Sequence, residues 1–406
     1  MRAGMGSACI TPRLGVELAG YGYYLERKCD AVRDPLYLRA VLIEEGARRQ
    51  LIVSCDLLGL SQELADRIIR EAAALGIPRD GVMIVSVHTH TGPAVQYHLG
   101  CGEVDGAYVA SLAERIRPAL EAAVSDLDGV TRLAFTRRAL PGDYLYNRAD
   151  PAGPVDREAR GFVLERREKP PILLAGSACH GVFLGRRSCV SADFSGELHR
   201  RCGEAGIRSI YLNGLCGDID PWRPSPERMR EFGGLLFEAL REGERELPMT
   251  LRGGRLPFRL RLERLTREEI AGMARRAAEQ AGGPEQPAAQ AALAWEREML
   301  SRADEQADEE PGDAAFCVLG GIPILALPFE GFTGMGMIFR RQTGLADAMV
   351  LGCAEELRGY LPTAEEFERG SYAARESVFL YRRQPTAAGE AERLAARLAE
   401  AFERTV

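Results

Sequence analysis

The chain has 406 residues, 46% hydrophobic and 27% charged, a balance that suits a globular protein with a large buried core and excludes a disordered or fibrous one. Its 52 basic and 59 acidic residues leave a net charge of −7, and no basic run is interleaved with aromatics, so no nucleic-acid partner is expected. The opening residues Met1 to Gly6 lack the charged-then-apolar pattern of a secretion signal, and no stretch offers about 18 uninterrupted apolar residues, so the expectations are a cytoplasmic location and no membrane span.

In chain order, short apolar and β-branched runs predict strands at Val41–Glu44, Leu51–Cys55, Val82–Val87, Ile172–Ala175, Ser209–Leu212, Phe316–Leu319, Ile322–Leu327 and Ala348–Leu351. Between them, Ser61–Leu75 has Leu64, Ile68, Ile69 and Ala72 at helical spacing behind a Ser61 N-cap. Ala107–Val124 and Arg228–Leu240 are similar. The alternation predicts α/β architecture, a mixed or parallel sheet covered by helices. The stretch from Leu265 to Glu310, rich in Ala, Glu, Arg and Gln and broken by Gly282-Gly283-Pro284, predicts two mainly exposed helices joined by a turn and inserted on the main domain. The last twenty residues predict an amphipathic helix with Leu394, Leu398 and Phe402 on one face. The ten cysteines include no CxxC pair; Cys55, Cys179, Cys216, Cys317 and Cys353 sit in or at the ends of apolar runs, and we read them as reduced core thiols.

Two of only five histidines fall in one tripeptide, His88-Thr89-His90, directly after the run Val82–Val87. The carboxyl ends of strands are where open α/β sheets place ligands, and an i, i+2 pair on extended backbone points both rings to one face. Neutral imidazole is a common zinc ligand, so the pair predicts half of a tetrahedral shell; the bland alternative is two histidines that bond loop backbone. His180 follows another apolar run, Asp56 follows Leu51–Cys55, and Glu330 follows Ile322–Leu327. Asn213, Asp218 and Asp220 follow Ser209–Leu212. Polar residues thus gather at predicted strand ends of one polarity, which points to a common site. Taken singly, Asp56 and Asp193 could cap helices, Asp218 and Asp220 could shape a turn, and His180 could be a satisfied core histidine.

The same residues carry a family resemblance. The pieces are Ile10-Thr11-Pro12, Ala19-Gly20-Tyr21, Asp34-Pro35-Leu36, His88-Thr89-His90-Thr91-Gly92-Pro93, Asn147-Arg148, Cys179-His180 and Ser191-Ala192-Asp193. They continue through Asn213 to Pro221, Leu327-Pro328-Phe329-Glu330, Gly359 to Thr363, and Tyr372. In this order they span nearly the whole chain, which resembles the N-terminal catalytic domain of the neutral/alkaline, non-lysosomal ceramidases. The resemblance implies one zinc ion per chain held by His88, His180, Glu330 and Tyr360, with water completing the shell. It also implies that His90, Arg148 and Tyr372 surround the reacting carbonyl. A single such domain over 1–406 is expected, without the family's C-terminal immunoglobulin-like domain. Ceramidases carry a serine where this chain has Asp220, so Asp220 joins the candidate catalytic residues. The implied substrate is a small-molecule acyl amide or ester, smaller and more polar than ceramide.

Two other readings stand beside this zinc-dependent amidohydrolase. TIM-barrel amidohydrolases also use H-x-H after a strand but need further histidines, and the metallo-β-lactamase pattern wants Asp-His where this chain has Gly92-Pro93. A binding protein or inactive relative with a non-catalytic metal is the non-enzyme alternative. The sequence specifies no oligomeric state.

Overall fold

The computed structural model describes residues 1–405. The first third of the chain runs β1 (Arg2–Cys9), β2 (Tyr37–Glu45), β3 (Arg48–Cys55), α1 (Gln62–Ala74), β4 (Val82–Ser86) and α2 (Gly106–Ser125). The second runs β5 (Asp128–Ala139), β6 (Glu158–Arg166), β7 (Ile172–Ser177), α3 (Phe194–Glu204), β8 (Arg208–Asn213) and α4 (Pro226–Leu240). The third runs β9 (Leu251–Arg261), α5 (Arg267–Ala281), α6 (Pro287–Ser301), β10 (Glu309–Leu319), β11 (Ile322–Ala326), α7 (Thr333–Thr343) and β12 (Met349–Leu351). It ends with α8 (Ser377–Tyr381) and α9 (Glu390–Thr405).

The first two thirds share one mixed sheet in the order β8-β7-β6-β5-β1-β2-β3-β4, and the last third builds a second sheet, β9-β10-β11-β12. Only β3–β4, β7–β8 and β11–β12 pair in parallel among these strands. The two halves of the large sheet meet through just two residue pairs, Arg2 with Gly129 and Ala3 with Asp128.

Side-chain alternation explains why the apolar runs are continuous. Along β2, Leu38, Ala40 and Leu42 pack toward α1 and α2, whereas Val41 and Ile43 enter a central core. In β7, Leu173 and Ala175 face α3 and α4, and Ile172 and Leu174 enter the same central core. Phe316 of β10 faces α9, and Cys317 turns inward. Strands buried on both faces read as unbroken hydrophobic runs, and those were the runs predicted. The strands that the sequence reading missed differ in composition. Leu251–Arg261 alternates buried Leu256, Phe258 and Leu260 with exposed Arg252, Arg259 and Arg261, a pattern without the apolar block used to find the others.

The predicted helices form, with Ser61 accepting from the backbone N–H of Leu64 at 3.4 Å. In α9, Leu394, Leu398 and Phe402 are buried, as the periodicity requires. The helical insertion forms as α5 and α6 between the paired strands β9 and β10, turning at Gly282. It is not simply exposed: Trp295, Met273, Ile270 and Met299 bury against Val378 and Phe379 of α8. No helix among the described residues is long and apolar enough to cross a membrane.

Candidate metal centre

His88 follows β4, His180 follows β7, and Glu330 opens a two-residue strand that pairs in parallel with Tyr360-Leu361, with Glu330 opposite Tyr360. The loops are stitched by backbone: Thr89 bridges Gly181, and the His90 N–H donates to the Gly181 carbonyl at 3.0 Å. The threonines of His88-Thr89-His90-Thr91 both donate to the Ser191 carbonyl, at 2.7 and 3.0 Å. The motif's spacing therefore ties three segments into one wall.

His88 Nε2 and His180 Nε2 lie 3.2 and 3.1 Å from the same oxygen, Glu330 Oε2. On the far side of each ring, Nδ1 meets a backbone carbonyl, Leu58 at 2.7 Å for His88 and Ile219 at 3.2 Å for His180. A carbonyl that accepts a hydrogen bond from Nδ1–H fixes the ring and turns Nε2 toward the carboxylate, the arrangement that orients metal-ligating histidines. Donors around a tetrahedral zinc at bond lengths near 2.0–2.2 Å stand about 3.3 Å apart, close to the separation of each imidazole nitrogen from the carboxylate oxygen. All three side chains are buried. Burial raises the pKa of the Glu330 carboxyl, but the pull of His88 and His180 outweighs it and holds the group well below the usual range.

Tyr360, also buried, receives a 2.7 Å hydrogen bond from Arg148 Nη2. Burial pushes its phenol well above the ordinary pKa, and Arg148 is the group that opposes this. The guanidinium is held in turn by the Gly217 carbonyl at 3.0 Å and by Asp220, whose Oδ1 lies 3.4 Å from Arg148 Nη1 and 3.5 Å from His180 Nδ1. Tyr372 stands edge-on to Tyr360, ring centroids 5.8 Å apart, and is 41% exposed. The exposed ring of Trp222 flanks the other end of this row, packed on Tyr146, the register partner of Asp220.

His90 sits among these groups with its ring centroid 4.9 Å from that of His88 and 5.4 Å from that of His180. Unlike the two histidines just described, its Nδ1 has no hydrogen-bond partner. Burial, and then the neighbouring imidazoles, lower its pKa well below the ordinary value and keep it neutral. Gly20, at φ +98°, leaves room for this ring, since a Cβ there would lie 2.6 Å from His90 atoms.

The structure thus brings together His88, His90, Arg148, His180, Asp220, Glu330, Tyr360 and Tyr372. One geometric expectation is corrected: His88 has φ +63°, so the two rings of the tripeptide converge through a turn rather than along extended backbone. Asp56 is elsewhere, with Oδ2 bonded to Arg39 Nη1 at 2.6 Å and to the Tyr37 N–H at 2.8 Å in a buried ion pair. Asp193 caps α3, its Oδ1 accepting from the Phe194 N–H at 2.9 Å. Asp218 joins loops: Oδ1 accepts from Thr333 and Oδ2 from Asn147 Nδ2, each at 2.9 Å.

The sequence reading missed two residues. Cys216, read as a core thiol, stands beside the imidazoles, and donor atoms of His88, His180 and Cys216 all lie within 4.8 Å of one another. Its sulfur accepts from Asn213 Nδ2 at 3.3 Å. Tyr381 donates its hydroxyl proton to Glu330 Oε1. Cys216 lay inside a motif already singled out, so its position was a usable signal; Tyr381 carried none.

No protein-family model matches the chain, and no curated protein matches it. Solved structures do. A crystal structure of neutral ceramidase from Pseudomonas aeruginosa superposes with a TM-score of 0.73 at 18% identity, covering 98% of this chain and 74% of that one. A structure described as ceramidase complexed with C2 gives a TM-score of 0.74 at 17% identity, covering 100% of this chain and 75% of the other. The chain has the neutral ceramidase fold.

Proposed function

We propose that the protein is a zinc-dependent hydrolase that cleaves an N-acyl amide or ester bond. The observation that carries this reading is the convergence of two backbone-oriented imidazoles on one oxygen of a buried carboxylate. The shared fold adds to it, since both similar structures are described as ceramidases, a name that denotes hydrolysis of an N-acyl amide.

In this reading His88, His180, Glu330 and Tyr360 hold one zinc ion per chain. Zinc so held supplies Lewis acidity, polarising a carbonyl and lowering the pKa of water toward about 7. Arg148 favours the phenolate form of Tyr360 through its 2.7 Å hydrogen bond, and Asp220 keeps Arg148 in place. His90, neutral and unpaired at Nδ1, is free to accept and return a proton at the reacting centre. Tyr372, adjacent to Tyr360 and open to solvent, donates to the substrate carbonyl oxygen or to the leaving group. The polar Asp220–Arg148 pair beside Tyr360 suits a substrate more polar than ceramide, and a smaller one is part of this reading. We assign the whole chain to one catalytic domain acting in the cytoplasm.

Cys216 favours a second reading, a binding protein or inactive relative. Donor atoms of His88, His180 and Cys216 lie within 4.8 Å of one another, and a thiolate with two imidazoles belongs to the closed shells of structural zinc sites. Zinc-loaded protein screened against N-acyl amides and esters separates the two. Hydrolysis that chelation removes supports the enzyme; tight zinc binding with no turnover across the library supports the closed shell.

A further inference from the structure

Glu330 has two oxygens with different partners. Oε2 faces both imidazoles, at 3.2 and 3.1 Å, while Oε1 accepts the hydroxyl proton of Tyr381. A carboxylate free to rotate presents either oxygen, or both, to a cation; one pinned at Oε1 presents a single oxygen. We propose that Tyr381 is a positioning residue that fixes Glu330 as a one-oxygen ligand, and that the α5–α6 hairpin is the brace that holds Tyr381 there. This inference rests on the reading of Glu330 as a metal ligand.

Tyr381 ends the five-residue helix α8, too short to hold its own position. The hairpin supplies what the short helix lacks. Trp295 of α6 is fully buried, packs its ring 5.0 Å from that of Phe379, and donates Nε1–H to the Arg383 carbonyl at 2.9 Å. Arg302 donates to the Arg382 carbonyl at 3.0 Å, and Glu298 accepts from Arg382 Nε at 2.6 Å. These bonds grip the two residues that follow Tyr381. From the opposite side, the Leu99 N–H donates to the Leu380 carbonyl at 2.9 Å, and the His98 ring packs edge-on to Tyr381 with centroids 4.7 Å apart. Gly359 completes the slot, since a Cβ there would lie 2.8 Å from the Tyr381 ring. An insertion that joins two neighbouring strands is thereby coupled to the carboxylate through the Tyr381 hydroxyl.

The test uses the full chain loaded with Co²⁺, which reports coordination through its visible absorption. Tyr381→Phe removes only the hydroxyl. It is expected to weaken Co²⁺ binding, measured by competition with a chromophoric chelator, roughly 10- to 100-fold, as loss of an outer partner of a ligand does. The visible bands should also lose intensity, because a freed carboxylate binds through both oxygens and raises the coordination number. Trp295→Phe keeps a buried ring but deletes the N–H that grips Arg383, and should weaken binding in the same direction by less. If the brace acts through Tyr381, the double variant binds no more weakly than Tyr381→Phe alone. Unchanged affinity and spectrum in Tyr381→Phe overturn the positioning role, and additive losses in the double variant overturn the brace. A wild-type chain that binds no Co²⁺ overturns the metal reading itself, and this proposal with it.

Discussion

Arg148 Nη2 lies 2.7 Å from the hydroxyl oxygen of Tyr360, inside a buried site where the phenol would otherwise resist ionisation. In the proposed reading of Tyr360 as a phenolate ligand, the guanidinium is the group that opposes this resistance. Zinc titration into the apo protein should therefore produce a tyrosinate difference band in the ultraviolet, absent in Tyr360→Phe and weaker in Arg148→Ala. Arg148→Ala should keep its zinc yet lose turnover on the order of 100-fold, the scale seen when one donor near a developing charge is removed. An undiminished tyrosinate band in Arg148→Ala would show that the arginine does not support the phenolate.

Gly20 makes a sharper probe of His90 than replacing the histidine. An added methyl would press on the imidazole at 2.6 Å and also strain a backbone at φ +98°. Gly20→Ala should displace the ring, leave zinc content unchanged, and lower turnover on the order of 100-fold, as small misplacements of reacting groups do. Wild-type turnover in this variant would remove His90 from the mechanism.

Acid should destabilise the protein through His98. This ring is buried with neither nitrogen bonded, and burial first of all lowers its pKa from 6.5 to about 4, with Glu330 opposing and His88 assisting. Between those values the unfolded chain binds a proton that the folded chain refuses, so stability is full above pH 6.5 and falls as the pH drops toward 4. The loss from this one group approaches about 3 kcal/mol at the low end. His98→Gln should flatten the melting-temperature profile in that window, whereas an unchanged profile assigns the acid sensitivity to other groups.

The buried pair of Arg39 and Asp56, 2.6 Å apart, is structural rather than catalytic. Arg39→Leu strands a carboxylate with no exposed surface, and denaturant unfolding should register a loss of about 3–5 kcal/mol with zinc content unchanged. Zinc loss in a folded Arg39→Leu protein would return Asp56 to the metal centre.

How much of this was legible in the sequence follows from what each residue does. The double-sided strands, the capped helices and the histidine motif were readable because burial on both faces, a Ser61 cap and an imidazole pair each leave a local mark. Strands such as Asp128–Ala139 and Leu251–Arg261 were missed because their arginines face outward and break the apolar runs. Asp56 was misplaced because a carboxylate at a strand end looks the same whether it meets a cation or Arg39. Cys216 was read as core because spacing says nothing of what a thiol touches, and Tyr381 could not be found at all. Its bond to Glu330 spans 51 residues and depends on a hairpin that the sequence marked only as an exposed insertion.

Elemental analysis of the purified protein beside its His88→Ala variant decides whether His88, His180 and Glu330 hold a cation. About one zinc per wild-type chain and none in the variant is expected, with any hydrolytic activity lost alongside. No zinc in the wild type even after supplementation, or full occupancy in His88→Ala, would contradict it.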